Sequence, residues 1–216
     1  VLIQIMCWRR KTPLHDAFCG SGTIPIEAAL YAYNVAPGFG RKFALENLAV
    51  YNQQKAVEAK KEEAAKIRPD AVARITGTDI DANAIERARV NAEHACVTAG
   101  RALQLVGSDA RIQRPDFEVA DFSELKAPYD EGLILSNLPY GERLGDEKEA
   151  EELYKSMPSL FTEFPGWEMG FITSHEYFEQ SLGMRANAKK ELKSGNLDTI
   201  FYRFDAGRNT AKKEQP

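Results

Sequence analysis

The sequence predicts an α/β fold, an open and mostly parallel sheet covered by helices on both faces, and three observations predict it. Strand-like and helical segments alternate from Leu14 to Phe204. The apolar run Leu14 to Phe18 turns into the small-residue loop CGSGT and then into a helical pattern. Near the middle of the chain, Leu133 to Ser136 (LILS) runs directly into NLPYGERLG. Ligands on such sheets sit beyond the carboxyl ends of the strands, so both loops are candidate sites.

Each element follows in order. After the loop, Ile24, Ile26, Ala28, Ala29 and Leu30 continue a helix, and Pro25 suits its first turn, where a lost N–H costs nothing. Residues 36–42 break that pattern. Leu45 to Arg68 is rich in Ala, Glu, Lys and Gln and reads as one or two exposed helices, a helical insertion with a solvated face. Val72 to Asp79 is a second strand ending in acids, and a helix runs from Ala82 to about Ala99. Leu103 to Val106 and Phe117 to Ala120 compete as the third strand. Leu133 to Ser136 is the fourth, Glu147 to Phe164 is helical, and Met169 to Thr173 and Thr199 to Phe204 are strands.

Composition narrows the class. The 216 residues are 44% hydrophobic, 28% charged and 10% aromatic, an ordinary globular make-up, with one domain expected over 1–207 and a polar tail over 208–216. The apolar start, Val1 to Trp8, is far shorter than the roughly 20 residues that cross a bilayer. Cys7, Cys19 and Cys96 form no CxxC pair, which fits reduced thiols and a cytoplasmic location rather than a disulfide framework or a zinc site. His15, His94 and His175 show no metal-ligand spacing either, so no metal is expected. Against 28 basic residues stand 32 acidic ones, a net charge of -4, so a polyanionic partner would need a local patch. The chain starts without Met inside an apolar run and reads as a piece of a longer one.

The first candidate site is DAFCGSGT, Asp16 to Thr23. Gly20 and Gly22 allow close backbone approach, and the helix N-terminus behind them offers free N–H donors. A dinucleotide fingerprint would place a third glycine at position 25, where Pro25 stands, and a phosphate-binding loop would have a Lys after the glycines. A nicotinamide oxidoreductase is therefore disfavoured. An acid ending the first strand suits a cationic amino-acid group, and Asp79, ending the second, suits ribose hydroxyls. Those needs are met by S-adenosylmethionine. The predicted cofactor residues are Asp16, Phe18, Cys19, Gly20, Ser21, Gly22 and Thr23, then Asp79 with Ile80, then Asp121 with Phe122, and Asn137. Asp81 reads at least as well as a helix N-cap. Asp121 could accept from an adenine amino group with Phe122 beside the ring, and Asp109 is its rival.

The second candidate site is Ser136 to Gly141. The Asn137 side-chain oxygen and the Leu138 carbonyl can accept both protons of a planar exocyclic amine, Pro139 stiffens the turn, and Tyr140 can stack on a flipped-out base. These four are the candidate catalytic residues. The plain alternative is a tight turn with a buried Tyr.

Together DAFCGSGT, GTDID and SNLPYGERLG resemble the class I S-adenosylmethionine-dependent methyltransferases. Within that class the resemblance is to the bacterial 23S ribosomal RNA guanine-N2 methyltransferases that carry an N-terminal THUMP domain. PIEAA, APGFGRKFA, GERLGDEKEAEELY and ITSHEYFE are similar to that group too, so the likeness covers most of the chain. The chain departs from the family at Ala17, usually Pro, and at Leu138, where the family has Asn-Pro-Pro-Tyr; adenine dimethylases of ribosomal RNA tolerate Asn-Leu-Pro-Tyr. The resemblance implies a Rossmann-like, doubly wound sheet of seven strands. It implies methyl transfer from S-adenosylmethionine to the guanine N2 amine of ribosomal RNA, and an RNA-binding domain ahead of Val1. Arg143 and the Lys189, Lys190 and Lys193 cluster are the basic groups expected on the RNA side, with Arg9, Arg10, Lys11, Arg41 and Lys42 as further candidates. An adenine-N6 methyltransferase on DNA or RNA and a non-catalytic cofactor- or RNA-binding scaffold are the rival readings.

Overall fold

The structure, a computed structural model, describes residues 1–139, 147–194 and 197–207. The strands are β1 (Leu14–Asp16), β2 (Ile75–Asp79), β3 (Asp116–Val119), β4 (Gly132–Asn137), β5 (Trp167–Thr173), β6 (Ala188–Ser194) and β7 (Leu197–Phe204). They form one seven-stranded sheet in the order β3-β2-β1-β4-β5-β7-β6. The pairs among β1 to β5 are parallel, and β7 is antiparallel to both β5 and β6. The helices are α1 (Leu2–Ile5), α2 (Thr23–Ala32), α3 (Gln53–Ala64), α4 (Ala82–Gln104), α5 (Glu147–Ser156), α6 (Pro158–Glu163) and α7 (Phe178–Leu182).

Alternation along the buried strands sends side chains into two cores. Leu14, Leu133, Leu135 and Ile172 join the core beneath α1 and α2, with Met6, Trp8, Ala28 and Ala32. Ile134, Met169, Phe171 and Tyr202 face the opposite core, with Tyr154, Leu160 and Phe178 from α5, α6 and α7. Helix α4 buries Ala84, Ile85, Ala88, Ala92, Ala99 and Ala102 at three- and four-residue spacing, a small-residue face that lets it lie close to its neighbours. Its N-cap is Asp81, whose carboxylate accepts the Asn83 N–H at 2.8 Å.

Three sequence expectations need adjustment. Leu103, one end of a candidate third strand, lies inside α4, and the third strand is Asp116–Val119. Between Leu45 and Arg68 the chain makes a 3-10 turn (Ala44–Asn47) and α3, of which only Ala64 is buried, as a solvated face requires. The 189–193 lysine cluster lies on β6, a strand that its polar sequence AKKELKS conceals. Strand β6 is an edge strand, where lysines hinder unwanted pairing with another sheet. Lys189 is drawn to Glu179 at 2.6 Å.

Gly132 opens β4 directly opposite Trp167 of β5, whose indole N–H donates to the Tyr129 carbonyl at 2.9 Å. A Cβ at Gly132 would stand 2.6 Å from the indole carbons. Gly132→Ala is expected to lower unfolding free energy by about 1–3 kcal/mol through overpacking, read as a lower urea midpoint at unchanged slope.

Candidate active site

The carboxyl ends of β1, β2, β3 and β4 open onto one cleft of about 350 Å³. Phe18, Gly20, Asp79, Ile80, Asp121, Phe122, Asn137 and Pro139 line it, so eight of the sequence-predicted residues meet there. Asp81, Ala84, Ala120 and Leu153 complete the wall. A larger groove of about 640 Å³ runs over the β1-β2-β3 face, beside His15, Thr76 and Thr78. Neither the glycine loop nor the Asn137 turn lines it. His15 belongs to that face as a packed residue: its ring nitrogens meet the Thr76 and Thr78 hydroxyls at 2.8 and 3.2 Å, and burial lowers its pKa to about 4.

The loop after β1 is bound to both neighbouring strands. The Cys19 N–H donates to the Thr78 carbonyl at 2.9 Å, and the Gly20 N–H to Asp79 Oδ2 at 2.8 Å. Asp79 Oδ1 accepts the Asp81 N–H at 3.0 Å, so this carboxylate ties the loop to the strand end while each oxygen retains a second lone-pair direction. On the other side, the Ala17 N–H donates to Ser136 Oγ at 3.0 Å.

The two glycines differ in what they do. Gly20 has a φ of +52°, and a Cβ there would meet nothing within 4 Å, so the loop leaves open space at that point. Gly22, with a φ of +82°, would drive a Cβ to 2.9 Å from Phe117 and 3.0 Å from Ala88. The expectation of ligand approach therefore suits Gly20, while Gly22 seats α2 against β3 and α4. Cys19 is packed with Ile85, Ala88 and Phe117, and burial beside Asp16 and Asp79 raises its thiol pKa. Ser21 and Thr23 are exposed and do not line the cleft.

Asp16 is buried behind the loop, 1% exposed. It accepts the Phe18 N–H at 3.1 Å. Burial raises its pKa to about 7, hydrogen bonds from Ser136 and Phe18 hold it down, and the Asp79 charge pushes it further up. Asp121 Oδ1 takes both the N–H and the hydroxyl of Ser123, at 2.8 and 2.7 Å, so the acid also caps a short 3-10 turn. The cleft lining includes Asp121 and not Asp109. Ile80, 71% exposed, presents an apolar surface beside Asp79, and the Phe18 and Phe122 rings lie 5.1 Å apart.

At the end of β4, Asn137 lines the cleft while Leu138 is fully buried, its N–H donating to the Ile172 carbonyl at 3.0 Å. Tyr140 and Arg143 lie outside the described residues. Sequence reading missed Ser136; its signal is a hydroxyl in an otherwise apolar strand, immediately before Asn137. Among the described residues, no cluster of three metal-ligating side chains occurs, and no helix is long and apolar enough to cross a membrane.

Residues 1–203 match the UPF0020 family, described as the RMKL-like methyltransferase domain. The chain is 36% identical over 203 residues to "Putative RNA methyltransferase YpsC" of Bacillus subtilis, covering 94% of this chain and 49% of that protein. It is 33% identical over 208 residues to "Ribosomal RNA large subunit methyltransferase K/L" of Shewanella baltica, covering 94% of this chain and 27% of that one. Among solved structures it resembles "SMU.472, a putative methyltransferase complexed with SAH", at a TM-score of 0.79 and 31% identity over 95% of this chain and 51% of that one. The chain thus spans about half or less of the length of these relatives.

Because Asp16 stays protonated in the folded chain to about pH 7 but ionises near its model value of 3.8 when unfolded, its contribution to stability falls as pH rises between those values. The full difference is roughly 4 kcal/mol. Asp16→Asn should therefore raise the melting temperature of the ligand-free protein at about pH 8, by an amount that shrinks as pH is lowered toward about 4. A variant that melts below the parent at every pH would show that the buried charge carries no such cost.

Proposed function

We propose, from the premise that this chain belongs to the UPF0020 family of RMKL-like methyltransferase domains, that its cleft binds S-adenosylmethionine and methylates the exocyclic N2 amine of guanine in 23S ribosomal RNA. The observation that carries the reading is the convergence of the glycine loop, Asp79, Asp121 and Asn137 on one cleft at the strand ends. The RNA substrate is supported by the names of the two relatives, and the cofactor by the neighbour solved with its demethylated product.

The residues fit that cofactor. Gly20 leaves room where a side chain would intrude, Asp79 has lone pairs left for ribose hydroxyls, and Ile80 with Phe18 and Phe122 offers apolar surface to an adenine ring. Asp121 is placed to accept from the adenine amino group, and Asp16 supplies negative charge behind the loop for a cationic ammonium. Cys19, Ser21, Gly22 and Thr23 act through the shape of the loop. When bound, S-adenosylmethionine supplies an electrophilic methyl group on a sulfonium.

Catalysis then rests on positioning. Asn137 Oδ1 and the Leu138 carbonyl accept the two protons of the amine, which turns its lone pair toward the cleft, and Pro139 limits the freedom of the turn. Tyr140 stacks on the base, and Arg143 meets a phosphate.

Calorimetric titration with S-adenosylhomocysteine and product analysis on 23S ribosomal RNA test the two halves of the reading. Asp79→Ala is expected to weaken the titration about 10- to 100-fold, the loss of charge-assisted hydrogen bonds. Asn137→Ala should keep that affinity and lower methyl transfer about 100-fold or more. Mass spectrometry should find N2-methylguanosine; N6-methyladenosine instead would assign the amine to adenine, and a folded parent chain that binds no cofactor would sink the proposal.

A further inference from the structure

We propose that Tyr154 is a positioning residue for methyl transfer, holding the Asn137 turn in register through the Pro139 carbonyl; this rests on the reaction proposed above. Tyr154 lies on α5, fully buried, fifteen residues beyond the carbonyl it reaches. Its phenolic oxygen is 2.6 Å from the Pro139 carbonyl oxygen and 3.1 Å from Thr173 Oγ1.

Donor and acceptor capacities give this contact a direction. The Pro139 carbonyl can only accept, so the single phenolic proton points there. The Thr173 hydroxyl then donates to the Tyr154 oxygen and accepts the His175 N–H at 3.1 Å. A one-way chain runs from the His175 backbone through Thr173 and Tyr154 to the turn. Buried chains of this kind polarise one another and are costly to leave half-made. Burial also raises the Tyr154 pKa, which keeps the phenol a donor at neutral pH.

The placement of these contacts points to catalysis. The turn is held at two points by β5 and its surroundings: the Leu138 N–H donates to the Ile172 carbonyl at 3.0 Å, and the Pro139 carbonyl is held by the phenol. Between those anchors lie the Leu138 carbonyl, which is to accept from the substrate amine, and the restricted φ of Pro139. Asn137 stands immediately before the first anchor. The ring itself is fixed edge-on against Phe178 and His175, at centroid distances of 5.0 and 5.3 Å, so the hydroxyl cannot swing away without disturbing the core.

The test compares the parent chain with Tyr154→Phe, Thr173→Val and the double variant. Single-turnover methyl transfer to 23S ribosomal RNA transcript, S-adenosylhomocysteine affinity, and the side-chain amide resonances of Asn137 in the product-bound protein are read on each. Tyr154→Phe keeps the ring, and its transfer rate constant should fall about tenfold or more while affinity stays within about twofold. Thr173→Val should lower the same rate constant, and the double variant should be no slower than Tyr154→Phe, because both act on one chain of bonds. The Asn137 resonances should shift or broaden in Tyr154→Phe. Unchanged rate and resonances overturn the proposal, as does a rate loss matched by an equal loss of affinity, which marks a merely structural residue. A parent chain that transfers no methyl group counts against the proposed reaction, while the Asn137 resonances still decide the role of Tyr154.

Discussion

The buried hydroxyl of Ser136 joins the two halves of the site. It accepts the Ala17 N–H at 3.0 Å and hydrogen-bonds the Asp16 carboxyl, so the last core residue of β4 holds the start of the glycine loop after β1. A buried N–H or carboxyl without a partner costs more than a typical hydrogen bond contributes, so neither loop can move alone without stranding a polar group. Because Asn137 follows Ser136 directly, the side chain proposed to hold the substrate amine and the loop proposed to hold the cofactor share one frame. A methyl transfer that depends on alignment needs such a frame more than it needs a strong base.

That frame exists because of where β1 sits. Strand β1 has only three residues, but it pairs with β2 on one side and β4 on the other, and the chain leaves these ends in different directions. The cleft forms at this switch point. The acids there have two tasks each: Asp79 holds Gly20 and Asp81, Asp121 caps a turn, and Asp16 holds Phe18. Local hydrogen bonds fix each carboxylate before any ligand arrives. Only Asp16 is buried deeply enough for its ionisation to become costly near neutral pH, since Asp79 and Asp121 remain partly exposed.

The second half of the sheet supports the turn rather than the cleft. Strands β5 and β7 carry Phe171, Tyr202 and Phe204 into a core shared with α5 and α7, with Phe178 4.8 Å from Tyr202. That packing sets the position of Tyr154 and, through it, the peptide after Leu138. The edge strand β6 closes this side with lysines, one of them drawn to Glu179. Its composition is accounted for by protection of a sheet edge, independently of any RNA contact.

Short-range information determined much of this protein. Alternating strand and helix patterns, the CGSGT loop, the acid ending β2 and the Asn-Leu-Pro-Tyr turn are local signals, and they were enough to predict the parallel sheet and most residues of the cleft. Strand β6 was not legible, because the pattern of AKKELKS reflects an edge with one neighbour rather than a buried face. Nor could the sequence separate Gly20 from Gly22, since their difference depends on Phe117 and Ala88 approaching from distant segments. The same holds for Ser136 bridging to Ala17 across 119 residues and for Tyr154 reaching back to Pro139. Periodicity and turn chemistry are properties of neighbours along the chain, whereas burial, the pKa of Asp16 and the partner of a hydroxyl depend on which strands the sheet brings side by side.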